Sequence, residues 1–144
     1  MDYADVHRAC RQGDLERLRE VLKHVPGEVN QLDKKLGWSP LYRAVICNQY
    51  QVAKLLLEHQ ADPNFLTRLG ESPLHQAADS GLEDLTKLLL AHQADPDLPQ
   101  RGIAYTDGDT PLHRAAEKGR ERIVQLLLNA GADINIRNTC VCAI

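Results

Sequence analysis

Three histidines, His7, His75 and His113, recur in one local context, each two residues before an alanine. An imidazole set of this kind suits zinc binding or proton transfer, provided that the rings converge. Asp95, Asp97, Asp107 and Asp109 suggest calcium, but their spacing fits no twelve-residue EF-hand loop and lacks its closing glutamate. Cys140 and Cys142 form a Cys-x-Cys that offers two zinc ligands with no second pair nearby at finger spacing. No nucleophile elbow, zinc-protease helix motif, phosphate-cradling loop or dinucleotide fingerprint occurs. Neither catalysis nor a metal or other cofactor is supported.

The elements that position these residues follow from composition and periodicity. A chain of 144 residues allows one domain with its own core. One Trp, one Phe and four Tyr leave that core aliphatic, which favours Leu/Ala-packed helices over a β-sandwich. A net charge of −3 lacks the basic excess of a nucleic-acid binder. The apolar runs are too short for a membrane span, the first residues carry no secretory signal, and Val141 stands where a prenylation box needs Cys. The cysteines are too few and scattered for a disulfide scaffold, so reduced thiols in cytoplasm or nucleus are expected.

The chain repeats itself. Pro40-Leu41-Tyr42-Arg43-Ala44 aligns with Pro73-Leu74-His75-Gln76-Ala77 and Pro111-Leu112-His113-Arg114-Ala115, and a weaker copy begins at Asp5. The turn residues Gly13, Asn48, Gly81 and Gly119 are separated by 35, 33 and 38 residues. After each comes a second helical pattern, as in Val52, Leu55, Leu56 and Leu85, Leu88, Leu89, spaced for a helix packed on one side. Ser39, Ser72 and Thr110 are placed as N-caps with proline at the first helical position. The residue ending each first helix is expected to take positive φ.

These motifs resemble the ankyrin-repeat family over nearly the whole length. Its Thr-Pro-Leu-His-x-Ala signature stands here as residues 110–115, with Ser for Thr at 72–77, and with Ser and Tyr for Thr and His at 39–44. The closing Gly-Ala-Asp-x-Asn stands as Gly131-Ala132-Asp133-Ile134-Asn135 and, with Gln for Gly, as Gln60-Ala61-Asp62-Pro63-Asn64. The resemblance implies an all-α solenoid of four stacked helix-turn-helix units with hairpin-like loops, one domain over 1–144. The repeats fall at about 2–36, 37–69, 70–107 and 108–138, with a 139–144 tail. Units stacked about 10 Å apart keep the three histidines from one ion, and family resemblance gives them backbone hydrogen bonds at the repeat turns.

Departures from the pattern carry information. Leu57 to Pro73 spans 16 residues, but Leu22 to Pro40 spans 18 and Leu90 to Pro111 spans 21, the larger insertion lying at residues 100–108. Insertions in such arrays map to loops on one face, often the binding face. Arg17 and Glu20 occupy columns held by Val52/Leu55 in the next unit, which suits an N-terminal cap. The Ile123–Leu128 helix lacks such a polar side, so the C-terminal end reads as uncapped, as if the chain were cut or spliced from something longer.

Carried over by position from the family, partner contacts fall on Lys35, Leu36 and Trp38 in the first loop, Arg68, Leu69 and Glu71 in the second, and Tyr105, Asp107 and Asp109 in the third. Ile46, Cys47, Asp79, Ser80, Glu117 and Lys118 continue the groove on the first helices. Asn64 and Asn135 resemble ankyrin asparagines that an oxygen-sensing dioxygenase hydroxylates. The implied function is a monomeric, non-catalytic module that binds another protein through a concave groove, as the recognition segment of a scaffold or adaptor. Binding to nucleic acid, membrane or a small-molecule substrate is not expected. The alternative within the same fold is a stoichiometric inhibitor of an enzyme such as a protein kinase.

Overall fold

The computed structural model describes residues 4–102 and 107–138. Among these residues eight α-helices alternate as first and second members of four pairs: α1 (Ala4–Gln12) with α2 (Leu15–His24), α3 (Pro40–Ile46) with α4 (Tyr50–Glu58), α5 (Pro73–Ser80) with α6 (Glu83–Ala91), and α7 (Pro111–Glu117) with α8 (Glu121–Asn129). A 3₁₀ turn, Pro26–Asn30, follows α2, and there is no strand among the described residues. First helices pack on first helices (α1 on α3, α3 on α5, α5 on α7), and α2, α4, α6 and α8 stack likewise. The result is an all-α solenoid, two helices thick.

Each reversal is built the same way. The N–H groups of Asp14, Gln49, Leu82 and Arg120 donate to the carbonyls of Ala9, Ala44, Ala77 and Ala115 at 2.8–3.0 Å. This closure needs left-handed backbone at the residue before, and Gly13, Asn48, Gly81 and Gly119 have φ between 53° and 74°. A second set closes the later helices: Ala61, Ala94 and Ala132 N–H to Leu56, Leu89 and Leu127 carbonyls. Here Gly131 takes positive φ freely, whereas Gln60 and Gln93 are forced to 68° and 66°.

Starts are equally regular. The Ser39 hydroxyl accepts from Tyr42 N–H at 3.1 Å, and Ser72 and Thr110 form reciprocal capping boxes with His75 and His113. The core between the layers is aliphatic: Leu41, Ala44 and Val45, then Leu74, Ala77 and Ala78, meet Leu56, Leu89 and Leu127.

The ends of the stack differ. Arg17 and Glu20 are exposed, as a polar first unit requires. At the other end the open surface is not the column of Ile123, which is buried against the preceding pair. It is made by partly covered Leu112 and Val124 with exposed Leu128, at 39%, and Ile134, at 72%.

Candidate functional site

The first helices carry two polar centres, each built around an arginine directly after the His/Tyr column. Arg43 ion-pairs with Asp33, donates from Nε to His7 Nδ1 at 3.1 Å, and lies 5.0 Å over the Trp38 ring. Trp38 in turn sits 5.3 Å from Tyr42, tilted. His7 donates from Nε2 to the Gln31 carbonyl at 2.7 Å, so its Nδ1 is the acceptor for Arg43. Burial holds its pKa below the ordinary value, outweighing the Gln31 bond. Burial pushes Asp33 up, but the Leu36 N–H, at 2.6 Å, and Arg43 more than reverse this, and its carboxyl lies below the usual range.

Arg114 organises the second centre. Its guanidinium donates to the Gln100 side-chain oxygen and approaches Glu71 at 3.3 Å, Asp79 at 3.6 Å and Asp109 at 3.7 Å. Fully buried Gln100 completes its amide by donating to the Leu69 carbonyl at 3.1 Å, and its backbone pairs with Asp109 and Gly108. Tyr42, which takes the histidine column in the second unit, donates its hydroxyl to Glu71 at 2.9 Å. Burial, and after it the Glu71 carboxylate, raises the Tyr42 pKa. The two centres thus meet through Trp38, Tyr42 and Glu71.

The residues expected to meet a partner divide by exposure. Lys35, Leu36, Ile46, Arg68, Leu69, Glu117 and Lys118 are exposed, with Leu36 at 47% and Leu69 at 55%. Trp38, Glu71, Asp79 and Asp107 are half-buried. Arg68 crosses between consecutive loops, donating to the carbonyls of Lys35 and Lys34 at 2.9 and 3.2 Å. Asp109 corrects the expectation of an exposed contact. It is 5% exposed, its carboxylate accepts from Asn138 and faces Arg114, and its carbonyl accepts from His75 Nε2 at 2.8 Å. It is an internal tie between units. Tyr105, Cys140 and Cys142 lie outside the described residues.

The histidines stay on separate levels: His7 reaches Gln31, His75 reaches Asp109, and His113 closes its own cap. Among the described residues no three His, Cys, Asp or Glu side chains gather as metal ligands, and no helix is long and apolar enough to cross a membrane. Asn64 is used structurally: its oxygen accepts from Asp95 N–H at 2.7 Å and its amide donates to the Gln93 carbonyl at 3.3 Å. Asn30 and Asp97 make the same bridge to Asp62 and Asp133. Asn135, exposed, caps its own hairpin through its N–H to Asp133. Arg43, Arg114, Asp33 and Gln100 were not among the expected site residues. The arginine recurring after the His/Tyr column was the available signal for the first two.

A family model described as ankyrin repeats (3 copies) matches residues 6–66 and 61–138. The chain belongs to the ankyrin-repeat family. Similar ankyrin-containing stretches occur in the putative ankyrin repeat protein YahD of Escherichia coli, 39% identical over 61 residues, covering 39% of this chain and 30% of that protein. The BTB/POZ domain-containing protein 3 of Schizosaccharomyces pombe is 35% identical over 60 residues, covering 42% and 11%. The human DNA-binding protein RFXANK is 32% identical over 68 residues, covering 47% and 26%. The chain thus spans less than a third of each relative's length. Ankyrin repeats are generally protein–protein interaction modules and are typically non-catalytic.

Proposed function

We propose that this ankyrin array binds a partner protein along its loop tips and first helices, as the recognition segment of a larger scaffold or adaptor. It works as a monomer in the cytoplasm or nucleus and catalyses nothing. The observation that carries this reading is the pair of exposed leucines, Leu36 and Leu69, at equivalent positions in consecutive loops, held by the Arg68 bridge. Apolar side chains presented on a frame already ordered lose little entropy on binding, and specificity then rests on the tips. The charged side chains of Lys35, Glu117 and Lys118 and the apolar side chain of Ile46, all exposed, widen the surface.

Affinity capture with mass spectrometry, followed by quantitative binding of the captured protein, tests this. Leu36→Ser with Leu69→Ser is expected to weaken binding at least tenfold with the melting curve intact. Unchanged affinity moves the binding face to the second helices. Trp38→Ala is expected to weaken binding by about 2 kcal/mol as well. Because Trp38 leans on Tyr42 and lies under Arg43, that variant also lowers the melting temperature.

A further inference from the structure

We propose that the cleft between α1 and the first long loop receives an acidic segment of the partner protein, its carboxylates meeting Arg8, Arg11 and Lys35 while an apolar side chain rests on Leu36. The cleft encloses about 550 Å³, and Lys34 also lines it. Arg8 and Arg11 stand one turn apart on α1, and both, like Lys35, are exposed. None of these three has an ion-pair partner among the described residues. The acid that lines the cleft, Asp33, is already committed to Arg43 and to the Leu36 N–H. The cleft therefore offers a ligand the exposed cations Arg8, Arg11 and Lys35 beside the apolar side chain of Leu36.

The loop that supplies half of it is held in place. Arg68 ties down the Lys34 and Lys35 carbonyls, and Gly37, at φ 67°, turns the chain where a Cβ would come within 2.8 Å of the Arg68 side chain. A fixed cationic cleft selects its ligand by charge and register rather than by reshaping.

Charge also limits the length of the ligand. Farther along the array, the half-buried carboxylates of Glu71 and Asp79 gather around the single cation Arg114, with Glu117 exposed on α7, and the whole chain carries a net −3. A nucleic-acid strand lying along the groove would leave the basic cleft and meet these carboxylates, whereas a short acidic peptide ends before them.

The proposal rests on the protein-binding reading above, and the test separates the two. Fluorescence anisotropy would compare a short labelled Glu-rich peptide with one central Leu, its counterpart with Gln at every Glu, and single-stranded oligothymidylate. The wild-type chain is set against Arg8→Glu/Arg11→Glu and against Lys54→Glu/Lys87→Glu, which makes the same charge change on the exposed second helices. Circular dichroism melts confirm folding. The Glu peptide is expected to bind wild type, to lose at least tenfold on the α1 variant, and to stay within twofold on the second-helix variant. The Gln peptide is expected to bind at least tenfold more weakly than the Glu peptide. Equal losses in both variants, an equally tight Gln peptide, tighter oligothymidylate, or no binding of the Glu peptide would each overturn the proposal. If a captured partner cross-links through a photoreactive residue at Ile46 while the Glu peptide fails to bind, the groove reading survives and the acidic cleft alone is rejected.

Discussion

The contact between the third and fourth helix pairs and the outer face of the fourth pair carry the same columns of residues in opposite circumstances. On the covered contact, Leu74 and Ala78 are fully buried, His75 reaches across to Asp109, and the Asp97 carboxylate receives the Asp133 N–H. On the open face their counterparts are Leu112, partly covered, Ala116, exposed, His113, bonded within its own cap, and Asn135, exposed. Local structure is almost identical on the two sides. What differs is what each residue type contributes once a neighbour arrives, which is the nearest-neighbour energetics of a linear array.

Leucine makes the largest difference. Leu74→Ala removes a side chain closed on all sides and is expected to cost about 3 kcal/mol, within the usual range for buried leucine truncations. Leu112→Ala, the same change one unit later, is expected to cost about 1 kcal/mol. Urea unfolding measures both. Hydrogen exchange gives the same comparison without mutation, with α7 and α8 exchanging before α3 to α6. Equal costs and uniform protection would mean that the fourth unit is covered in solution.

The histidine of the covered contact gives the next effect, through pH. Burial, and then the neighbouring Arg114, outweighs the Asp109 bond and lowers the His75 pKa from 6.5 to about 4. With Nε2 donating to Asp109 and Nδ1 accepting from Ser72 N–H at 3.2 Å, a second proton would set donor against donor. The folded state binds that proton less readily than the unfolded chain. The stability it confers is therefore complete above pH 6.5 and is lost as pH falls toward 4. At about 1.4 kcal/mol per pH unit the loss approaches roughly 3 kcal/mol. His75→Gln removes this contribution, so the wild-type and variant stability curves should converge between pH 6.5 and 4.

Most of this frame is legible in the sequence because each feature is local. Proline after Ser or Thr, the glycine or asparagine at each reversal, and the leucines spaced on one side fix caps, turns and buried faces within a dozen residues of chain. The Arg114 centre was not legible. Gln100 comes from an irregular insertion, Asp109 had the look of a loop carboxylate, and their meeting depends on how that loop crosses Gly70, whose Cβ would fall 1.6 Å from the Arg101 carbonyl oxygen. Periodicity tells which side of a helix is inward but not which side chain from another unit will meet it. Trp38 illustrates the same limit, since its position at a loop tip did not reveal that Arg43 would lie over it.

The closing turns sharpen the comparison at a smaller scale. Gln60 and Gln93 hold the left-handed position that Gly131 fills at the end of the array. A non-glycine residue there costs about 1–2 kcal/mol, offset in part by the greater freedom glycine has when unfolded. Gln60→Gly and Gln93→Gly are each expected to stabilise the chain by about 0.5–1 kcal/mol, and Gly131→Ala, where a Cβ meets nothing within 4 Å, to destabilise it by a similar amount.

The smallest expected effect concerns the asparagines, for which hydroxylation is the proposed modification. A dioxygenase must draw the side chain into its own site, which for Asn64 means breaking the bonds to Asp95 and Gln93. Asn135 has no following hairpin bonded to it among the described residues, and its N–H bond to Asp133 leaves the amide free to move. Each neutral bond is worth about 1 kcal/mol net, enough to favour Asn135 several-fold. In protein from oxygenated animal cells, peptide mass spectrometry is therefore expected to find the added oxygen in greater fraction at Asn135 than at Asn64. Oxygen at neither would remove the modification, and a higher fraction at Asn64 would show that access is set by something other than the bridges between neighbouring hairpins.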